Sequence, residues 1–192
     1  ADHYAEAQLC TNIATTMMFG HWLRDALLME VLALDRGIQP LTLPGAPWLH
    51  EPGYRELLDL PERGTTLARV DRLWVVDDRG LNQGWGDRLV AMRKRLRRAV
   101  KPGGPSHVYM TRGSSGRARE LLNAPEILAL LSARGFAVIE PERMEPAAIA
   151  HALASAKIVV SVEGSAINHA QFAMPDNSAL LVIQPPDRFN AW

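Results

Sequence analysis

The regular alternation of apolar runs and helical patterns between Ser106 and Pro186 restricts the fold more than any other feature of the chain. Strands that are apolar along their length and separated by helices are typical of a parallel sheet covered by helices. This part of the chain is therefore predicted to be α/β with a mostly parallel sheet. The pattern predicts strands over 106–111, 136–139, 158–162 and 179–183, and helices over 124–134, 146–155 and 165–172.

The first hundred residues carry weaker patterns. Apolar spacing from Ala5 to Leu34 predicts a helical segment that Gly20 interrupts and Gly37 ends. Residues 40–64 are rich in proline and glycine and are interpreted as a loop with one short helix. The short helix is expected at 53–58. A strand at 72–76 and a basic amphipathic helix at 85–100 are expected after this segment.

A break in the pattern at Lys101-Pro102-Gly103-Gly104-Pro105 predicts a domain boundary. The two domains would be residues 1–104 and 105–192. A chain of 192 residues is long enough for two small α/β lobes.

The charge balance excludes some classes of partner. The chain has 21 Lys and Arg residues against 21 Asp and Glu residues, so no global field favours nucleic acid. No apolar run is long enough for a transmembrane segment, and peripheral contact with a membrane is left open. The basic face of helix 85–100 is interpreted as solvated, with contact to a phosphorylated partner as the alternative. Cys10 is the single cysteine, which excludes an internal disulfide and favours a reducing, cytoplasmic location.

An arginine-rich loop follows the first strand of the C-terminal domain. Arg112 ends that strand, and Arg117 and Arg119 follow within a segment that also holds two glycines and two serines. Arginine binds phosphate with two parallel hydrogen bonds, and in open α/β sheets ligands lie at the carboxyl ends of the strands. The loop is therefore interpreted as a diphosphate clamp, with a solvated surface loop as the alternative.

A second anion-seeking feature is the turn Glu163-Gly164-Ser165-Ala166, which follows the strand at 158–162 and opens a helix. Free N–H groups and the helix dipole both favour anions at such a position. The turn lacks the complete fingerprint of dinucleotide-binding or P-loop proteins, and a plain strand-to-helix corner is the alternative. Glu163 would repel a diphosphate but could bind a ribose or sugar hydroxyl.

His21 and Asp25 stand four residues apart in a predicted helix and so share one face. A carboxylate beside an imidazole orients it and raises its basicity, as a general base requires. The alternative is an ordinary polar pair on a helix. No cluster of His, Cys, Asp and Glu has the spacing of metal ligands, so no metal is expected.

Several of these motifs together resemble glycosyltransferase family 61, whose bacterial members are usually described as capsular polysaccharide biosynthesis proteins. The resemblance covers most of the chain and is clearest from Ser106 to Pro186. It rests on Phe19-Gly20-His21-Trp22-Leu23-x-Asp25, Tyr109-x-x-Arg112, Arg117, Arg119, Asn123, Gly164-Ser165-Ala166-Ile167-Asn168, Phe172 and Pro185.

The resemblance implies a GT-B architecture, in which two Rossmann-like lobes face each other, and an inverting, metal-independent sugar transfer. The donor would be a nucleoside diphosphate sugar, acting as co-substrate with no cofactor, and the acceptor a glycan or lipid-linked saccharide. The N-terminal domain would hold the acceptor, with His21 or Asp25 as the base. The C-terminal domain would bind the donor through Arg112, Arg117, Arg119, Asn123, Glu163, Gly164, Ser165, Ala166 and Asn168.

Two positions differ from the family pattern. Glu163 stands where the family commonly has histidine, and Gln184 stands near the place of an acid in the last strand. These differences motivate the alternative of a catalytically degenerate module that binds a nucleotide or glycan within an assembly complex. A weaker third hypothesis is an unrelated nucleotide-binding α/β enzyme of epimerase type.

Overall fold

The described residues form two parallel sheets, one in each of two units, Ala1–Arg95 and Leu96–Trp192. The structure is a computed structural model, and it describes residues 1–42, 48–62, 64–78, 80–114 and 121–186. Every strand pair in both sheets is parallel. The α/β class expected from the sequence is therefore confirmed, and it extends to the N-terminal unit. In the described part of the chain, no helix combines the length and the apolar character that crossing a membrane requires.

The first unit has a sheet of three strands in the order β2-β1-β3. In the register of the sheet, Ala7 of β1 lies opposite Gln39 of β2 and Leu73 of β3. The elements are β1 (Asp2–Leu9), α1 (Ile13–Met17), α2 (Phe19–His21), a π-helix (Trp22–Ala26), α3 (Leu27–Asp35), β2 (Gln39–Leu41), α4 (Glu51–Leu57), β3 (Ala68–Trp74) and the first part of α5 (Gln83–Ala99), whose last residues belong to the second unit.

The expectation of a helix from Ala5 onward is wrong for its first residues, which form the central strand β1. Leu9, the first member of the apolar spacing, ends β1, whereas Ile13 and Met17 do lie in a helix but are 78% and 69% exposed, so the spacing did not mark a buried face. Pairing on both sides with β2 and β3 outweighs this local helical spacing. The interpretation of residues 40–64 as loop also missed the end of β2, a strand of three residues.

The core of the first unit forms around α3, with Leu23, Leu27 and Leu28 almost fully buried. Beside it lies a buried ionic cluster. The guanidinium group of Arg55 donates to both carboxylate oxygens of Glu30, at 2.9 and 3.1 Å, and to Glu51 at 2.9 Å. Burial alone would lower the pKa of Arg55, but the carboxylates of Glu30 and Glu51 outweigh it and the pKa is raised. This cluster ties α3 to α4.

Cys10, directly after β1, is 1% exposed. Burial, with a further contribution from the nearby Glu30 charge, raises the pKa of this thiol from 9.0 to about 12.

Since the thiolate is the reactive form, we expect the native protein at pH 8 to react with Ellman's reagent at least about a hundredfold more slowly than the urea-unfolded chain. The folded state binds the thiol proton more tightly than the unfolded chain does. The free energy of unfolding that this difference contributes is fully present below pH 9 and is lost as the pH rises toward 12. Rapid labelling of the native protein would contradict this assignment.

The second unit has four strands in the order β5-β4-β6-β7. All strands and helices expected after Ser106 are present. The last helix begins at Ile167 instead of Ser165, because Ser165 and Ala166 form a turn that precedes it. The elements are β4 (His107–Met110), α6 (Ala124–Ala133), β5 (Ala137–Ile139), a 3-10 helix (Pro141–Arg143), α7 (Pro146–Leu153), β6 (Ile158–Val162), α8 (Ile167–Ala173) and β7 (Ala179–Ile183).

Helices cover the second sheet unequally. Val108, Val159, Ile149, Leu153 and Phe172 from β4, β6, α7 and α8 are almost fully buried. In contrast, α6 contains no buried residue, although it is as apolar as α7. Both faces of the central strands β4 and β6 are nevertheless covered, since Tyr109 and Val160, on the face opposite Val108 and Val159, are also buried.

Candidate active site

The strand order of the second sheet creates a switch point between β4 and β6. From β4 the chain passes to β5 on one side, then returns to β6 on the other side. In open α/β sheets, ligands bind in the crevice outside the carboxyl ends of two such strands. Here the ends carry Arg112 and the Glu163 turn, and Arg112 Nη1 donates to the Glu163 carbonyl at 2.9 Å. The structure thus brings the two predicted anion-binding features together.

The loop after β4 is held by the segment that follows β5. The N–H and hydroxyl of Thr111 both donate to the Ile139 carbonyl, at 2.9 and 3.1 Å. The N–H of Ser114 donates to the Glu142 carboxylate at 2.9 Å. A Cβ atom on Gly113 would lie 1.8 Å from the carboxyl carbon of Glu142, so glycine permits this close approach. Arg117 and Arg119 lie outside the described residues.

The turn after β6 depends on one glycine. Gly164 has a φ of 154°, a conformation that side chains disfavour, and its carbonyl accepts the Ile167 N–H at 3.1 Å. The Asn168 side chain donates to the Ser165 carbonyl at 2.9 Å. Asn168 therefore braces the turn from within α8, whereas Ser165 is exposed and Ala166 directly precedes the helix.

The two remaining predicted donor residues differ in environment. Glu163 is 3% exposed, and its N–H donates to the Ile183 carbonyl of β7 at 2.9 Å. Asn123 is exposed and directly precedes α6. Glu163 is thus part of the edge formed by β4, β6 and β7, and Asn123 lies at the start of the helix that leads away from β4.

His21 and Asp25 form a close polar pair in the helical region of the first unit. His21 Nδ1 lies 2.7 Å from Asp25 Oδ2, and the two side chains are 31% and 24% exposed. Asp25 belongs to the π-helix, a rare form that occurs frequently at functional sites. The rings of Phe19 and Trp22 stack at 5.9 Å, and Trp22 also meets Tyr54 at 6.3 Å, which anchors this segment in the core.

The hydrogen bonds determine which nitrogen of His21 carries a proton. A carboxylate only accepts hydrogen bonds, and its 2.7 Å contact with Nδ1 is much shorter than the 3.4 Å approach of the donor Arg24 Nη2 to the same nitrogen, so we assign the proton to Nδ1. Nε2 of the neutral ring then holds a lone pair that can accept a proton. Arg24 Nε donates to the other oxygen of Asp25 at 3.2 Å, which fixes the carboxylate between two donors. The pair has the arrangement of an oriented base and its orienting acid.

Arg24 and Asp25 also line a cavity of about 330 Å³ in the first unit. Sequence reasoning did not find this cavity, because its other walls come from segments after β1 and β3 that are distant in the chain. The missed residues include Asn12, Thr15, Asp78 and Trp85. Asn12 carried a local signal, since it caps α1 with Thr15 as reciprocal partner, but that signal indicates a helix start and not a site. Among the residues described, no three His, Cys, Asp or Glu side chains are grouped to hold a metal ion.

The parallel sheets and the carboxyl edge of the second one are consistent with a Rossmann-like glycosyltransferase fold. The family model described as Glycosyltransferase 61 matches residues 19–181, and the chain belongs to this family. Membership implies glycosyltransferase activity, with a sugar donor and an acceptor as substrates. A search of curated proteins found no match.

Proposed function

We propose that this protein is an inverting glycosyltransferase of GT-B organisation that uses a nucleoside diphosphate sugar. The donor would bind at the switch point between β4 and β6, and the acceptor hydroxyl would be deprotonated by His21. The observation that carries the proposal is the contact of Arg112 with the Glu163 turn at that switch point. By family resemblance, the proposed role is in polysaccharide biosynthesis, including that of capsular polysaccharide, and the proposed location is cytoplasmic.

At the donor site, the Arg112 guanidinium supplies the positive charge that a departing diphosphate requires. Arg117 and Arg119 belong to the same loop by sequence and are proposed to close on the phosphates. The Glu163 carboxylate would not contact the diphosphate. It would accept a hydrogen bond from a ribose or sugar hydroxyl, and such bonds to a charged acceptor are strong. Ser165 and Asn123 are proposed to add polar contacts, while Gly164, Ala166 and Asn168 shape the turn.

At the base, the acceptor O–H proton moves to Nε2 of His21, and Asp25 stabilises the imidazolium that forms. The acceptor oxygen then bonds to the anomeric carbon of the donor sugar from the face opposite the diphosphate. The bond from that carbon to the diphosphate oxygen breaks, and its electron pair leaves with the nucleotide. Displacement from the opposite face inverts the anomeric centre. The proposed reaction uses no metal and no cofactor.

A degenerate nucleotide- or glycan-binding module is the second candidate, because Glu163 and Gln184 depart from the family pattern. The two functions differ in one measurement. An active enzyme forms a glycoside product from a panel of UDP- and GDP-linked sugars and saccharide acceptors, whereas a binding module retains nucleotide affinity without product.

The donor site is tested by calorimetry with UDP and GDP on Arg112→Ala. We expect affinity to fall roughly ten- to 150-fold, corresponding to about 1.5–3 kcal/mol for a lost charge-assisted contact. Arg112→Lys retains the positive charge but cannot form two parallel bonds to a phosphate, and we expect it to lose less affinity than Arg112→Ala. This second variant shows how much of the loss is due to the charge.

Arg134→Ala is the matched control, since it removes the same charge from the same unit. Arg134 follows α6, which leads from the carboxyl end of β4 to the amino end of β5, so it lies at the opposite edge of the sheet. Its affinity for nucleotide should equal that of the unchanged protein. Equal affinity in Arg112→Ala would overturn the clamp, and no binding of either nucleotide would count against the donor class.

A further inference from the structure

The cavity of the first unit lies at a second topological switch point. From β1 the chain passes to β2 on one side and later to β3 on the other. Its walls include Cys10 and Thr11 after β1, and Val76 and Asp78 after β3. The cavity therefore occupies the crevice outside the carboxyl ends of β1 and β3, where open α/β sheets bind ligands. Its volume of about 330 Å³ lies within the roughly 300–1,000 Å³ range of small-molecule sites.

The polar groups of the wall suit a ligand rich in hydroxyl groups. Thr11, Asn12 and Thr15 are hydrogen-bonded to one another, with the two threonine hydroxyls 3.0 Å apart, and Asp25 and Asp78 are paired with basic side chains. A ligand would use the remaining acceptor positions of these hydroxyl, amide and carboxylate oxygens. Such groups accept from and donate to alcohols in many orientations. Asp25 is also the partner of His21 at 2.7 Å, so a ligand in this cavity lies against the wall that orients the proposed base.

Trp85 adds an aromatic ring to the same wall. An indole offers a large, rigid apolar face, on which the C–H groups of a sugar ring can pack while its hydroxyls turn toward polar neighbours. The Trp85 Nε1–H is buried and has no acceptor within the described ranges. Buried indole N–H groups normally find a partner, and a small shift of the ring toward a ligand oxygen would supply one.

The charges of the wall select against an anionic ligand. Arg24 pairs with Asp25 at 3.2 Å, and Asp78 is held by Arg88 in a close ion pair. Both guanidinium groups are thus already matched by carboxylates. A ligand carboxylate or phosphate would bring an additional buried charge, which is costly without its own partner. The cavity favours a neutral ligand over a nucleotide or an acidic sugar.

We propose that this cavity binds a neutral, hydroxyl-rich saccharide unit, with Trp85 as the packing surface and Asp25 at the wall nearest the base. The inference rests on the proposed function, in which this unit is the acceptor sugar, and it specifies where that sugar binds and of which class it is. Trp85 is a specificity-determining residue of the acceptor site in this proposal.

The test is an NMR titration of the full, ¹⁵N-labelled chain with neutral methyl glycosides of glucose, galactose, xylose and mannose. Trp85→Phe identifies the Trp85 indole signal by its disappearance. We expect at least one glycoside to shift that signal, and Trp85→Ala to weaken its binding about tenfold. Trp74→Ala is the control, because its indole N–H already donates to Glu6 at 2.7 Å and it does not line the cavity.

The matched ligand is methyl glucuronide, which differs from methyl glucoside by one carboxylate and should bind more weakly than the neutral glycoside. If no neutral glycoside moves the Trp85 signal, or if the glucuronide alone does so, the inference is overturned. The titration of the unchanged protein decides this even where a variant fails to fold. Nucleotide binding is measured separately by calorimetry, so a protein that binds UDP or GDP but no glycoside refutes the cavity assignment and leaves the donor proposal standing.

Discussion

His21→Ala is expected to lower kcat for sugar transfer by about 10²–10⁴-fold, the usual contribution of a positioned general base. The reason is that Nε2 of His21 is the proton acceptor, while Nδ1 is occupied by Asp25 at 2.7 Å. Because the side chain is not part of the donor site, calorimetry should show unchanged affinity for UDP and GDP. The measurement is initial-rate kinetics of the glycoside product, with kcat and KM separated.

Asp25→Asn examines the orienting role of the carboxylate. An amide can present its N–H to Nδ1, which would place the ring proton on Nε2 and remove the lone pair that accepts the acceptor proton. We therefore expect a loss in kcat of up to about 10⁴-fold, as the wrong tautomer of the catalytic histidine produces in triad enzymes. A variant that retained full activity would show that Asp25 does not orient the base.

The chain offers a matched control for this pair. His3 Nε2 lies 3.0 Å from Asp71 Oδ1 in the same unit, but the two side chains are 58% and 53% exposed and bridge neighbouring strands. His3→Ala and Asp71→Asn should leave kcat within about twofold, since exposed pairs contribute little. If these variants lost as much activity as His21→Ala, the loss would reflect damage to the unit and not removal of a base.

Arg55→Ala is expected to destabilise the first unit by about 3–5 kcal/mol, the cost of breaking a buried ion pair from one side. The substitution leaves the carboxylates of Glu30 and Glu51, both almost fully buried, without the guanidinium group that contacts both. It also removes a 2.8 Å bond to the Pro61 carbonyl. Urea denaturation, followed by tryptophan fluorescence, measures the change because Trp22 and Trp48 lie in this unit.

Arg72→Ala is the control for charge removal. Arg72 lies 3.6 Å from Glu6 in an exposed pair, so its loss should change the free energy of unfolding by less than about 1 kcal/mol. The loss of stability in Arg55→Lys is expected to lie between those of Arg72→Ala and Arg55→Ala. A lysine retains the charge but lacks the planar guanidinium group that contacts both carboxylates. A stability of Arg55→Ala equal to that of Arg72→Ala would contradict the structural role of the cluster.

The second sheet could be anticipated well because its signals are local. The runs at 158–162 and 179–183 coincide with β6 and β7, and Gly135, with a φ of 78°, lies where the predicted end of α6 requires it. The first unit was harder because β2 has three residues and β1 is defined by its two neighbours. A strand of three residues has little periodicity of its own, and both β2 and β1 are stabilised by pairing with their neighbours.

The candidate sites also combine features that the sequence predicts with features that it does not. The i,i+4 spacing of His21 and Asp25 follows from helical geometry and is visible in the chain, as is an arginine after a strand. The π-helix and the Arg24 contact with Asp25 were not visible, nor was the cavity with Trp85. The cavity depends on segments that the sheet brings together, whereas the π-helix and the contact between adjacent residues Arg24 and Asp25 are local but leave no recognisable pattern in the residue spacing.

Local chemistry and periodicity were enough to indicate the α/β class, the alternation after Ser106 and the residue types suited to an acid, a base and a phosphate. The folded chain alone showed that Arg112 meets Glu163 and that β1 and β3 enclose a cavity beside Asp25. The physical reason is that strand order, not strand sequence, determines where a parallel sheet opens. Strand order results from pairing between segments that are distant in the chain. The local sequence of a strand does not indicate which strands pair with it.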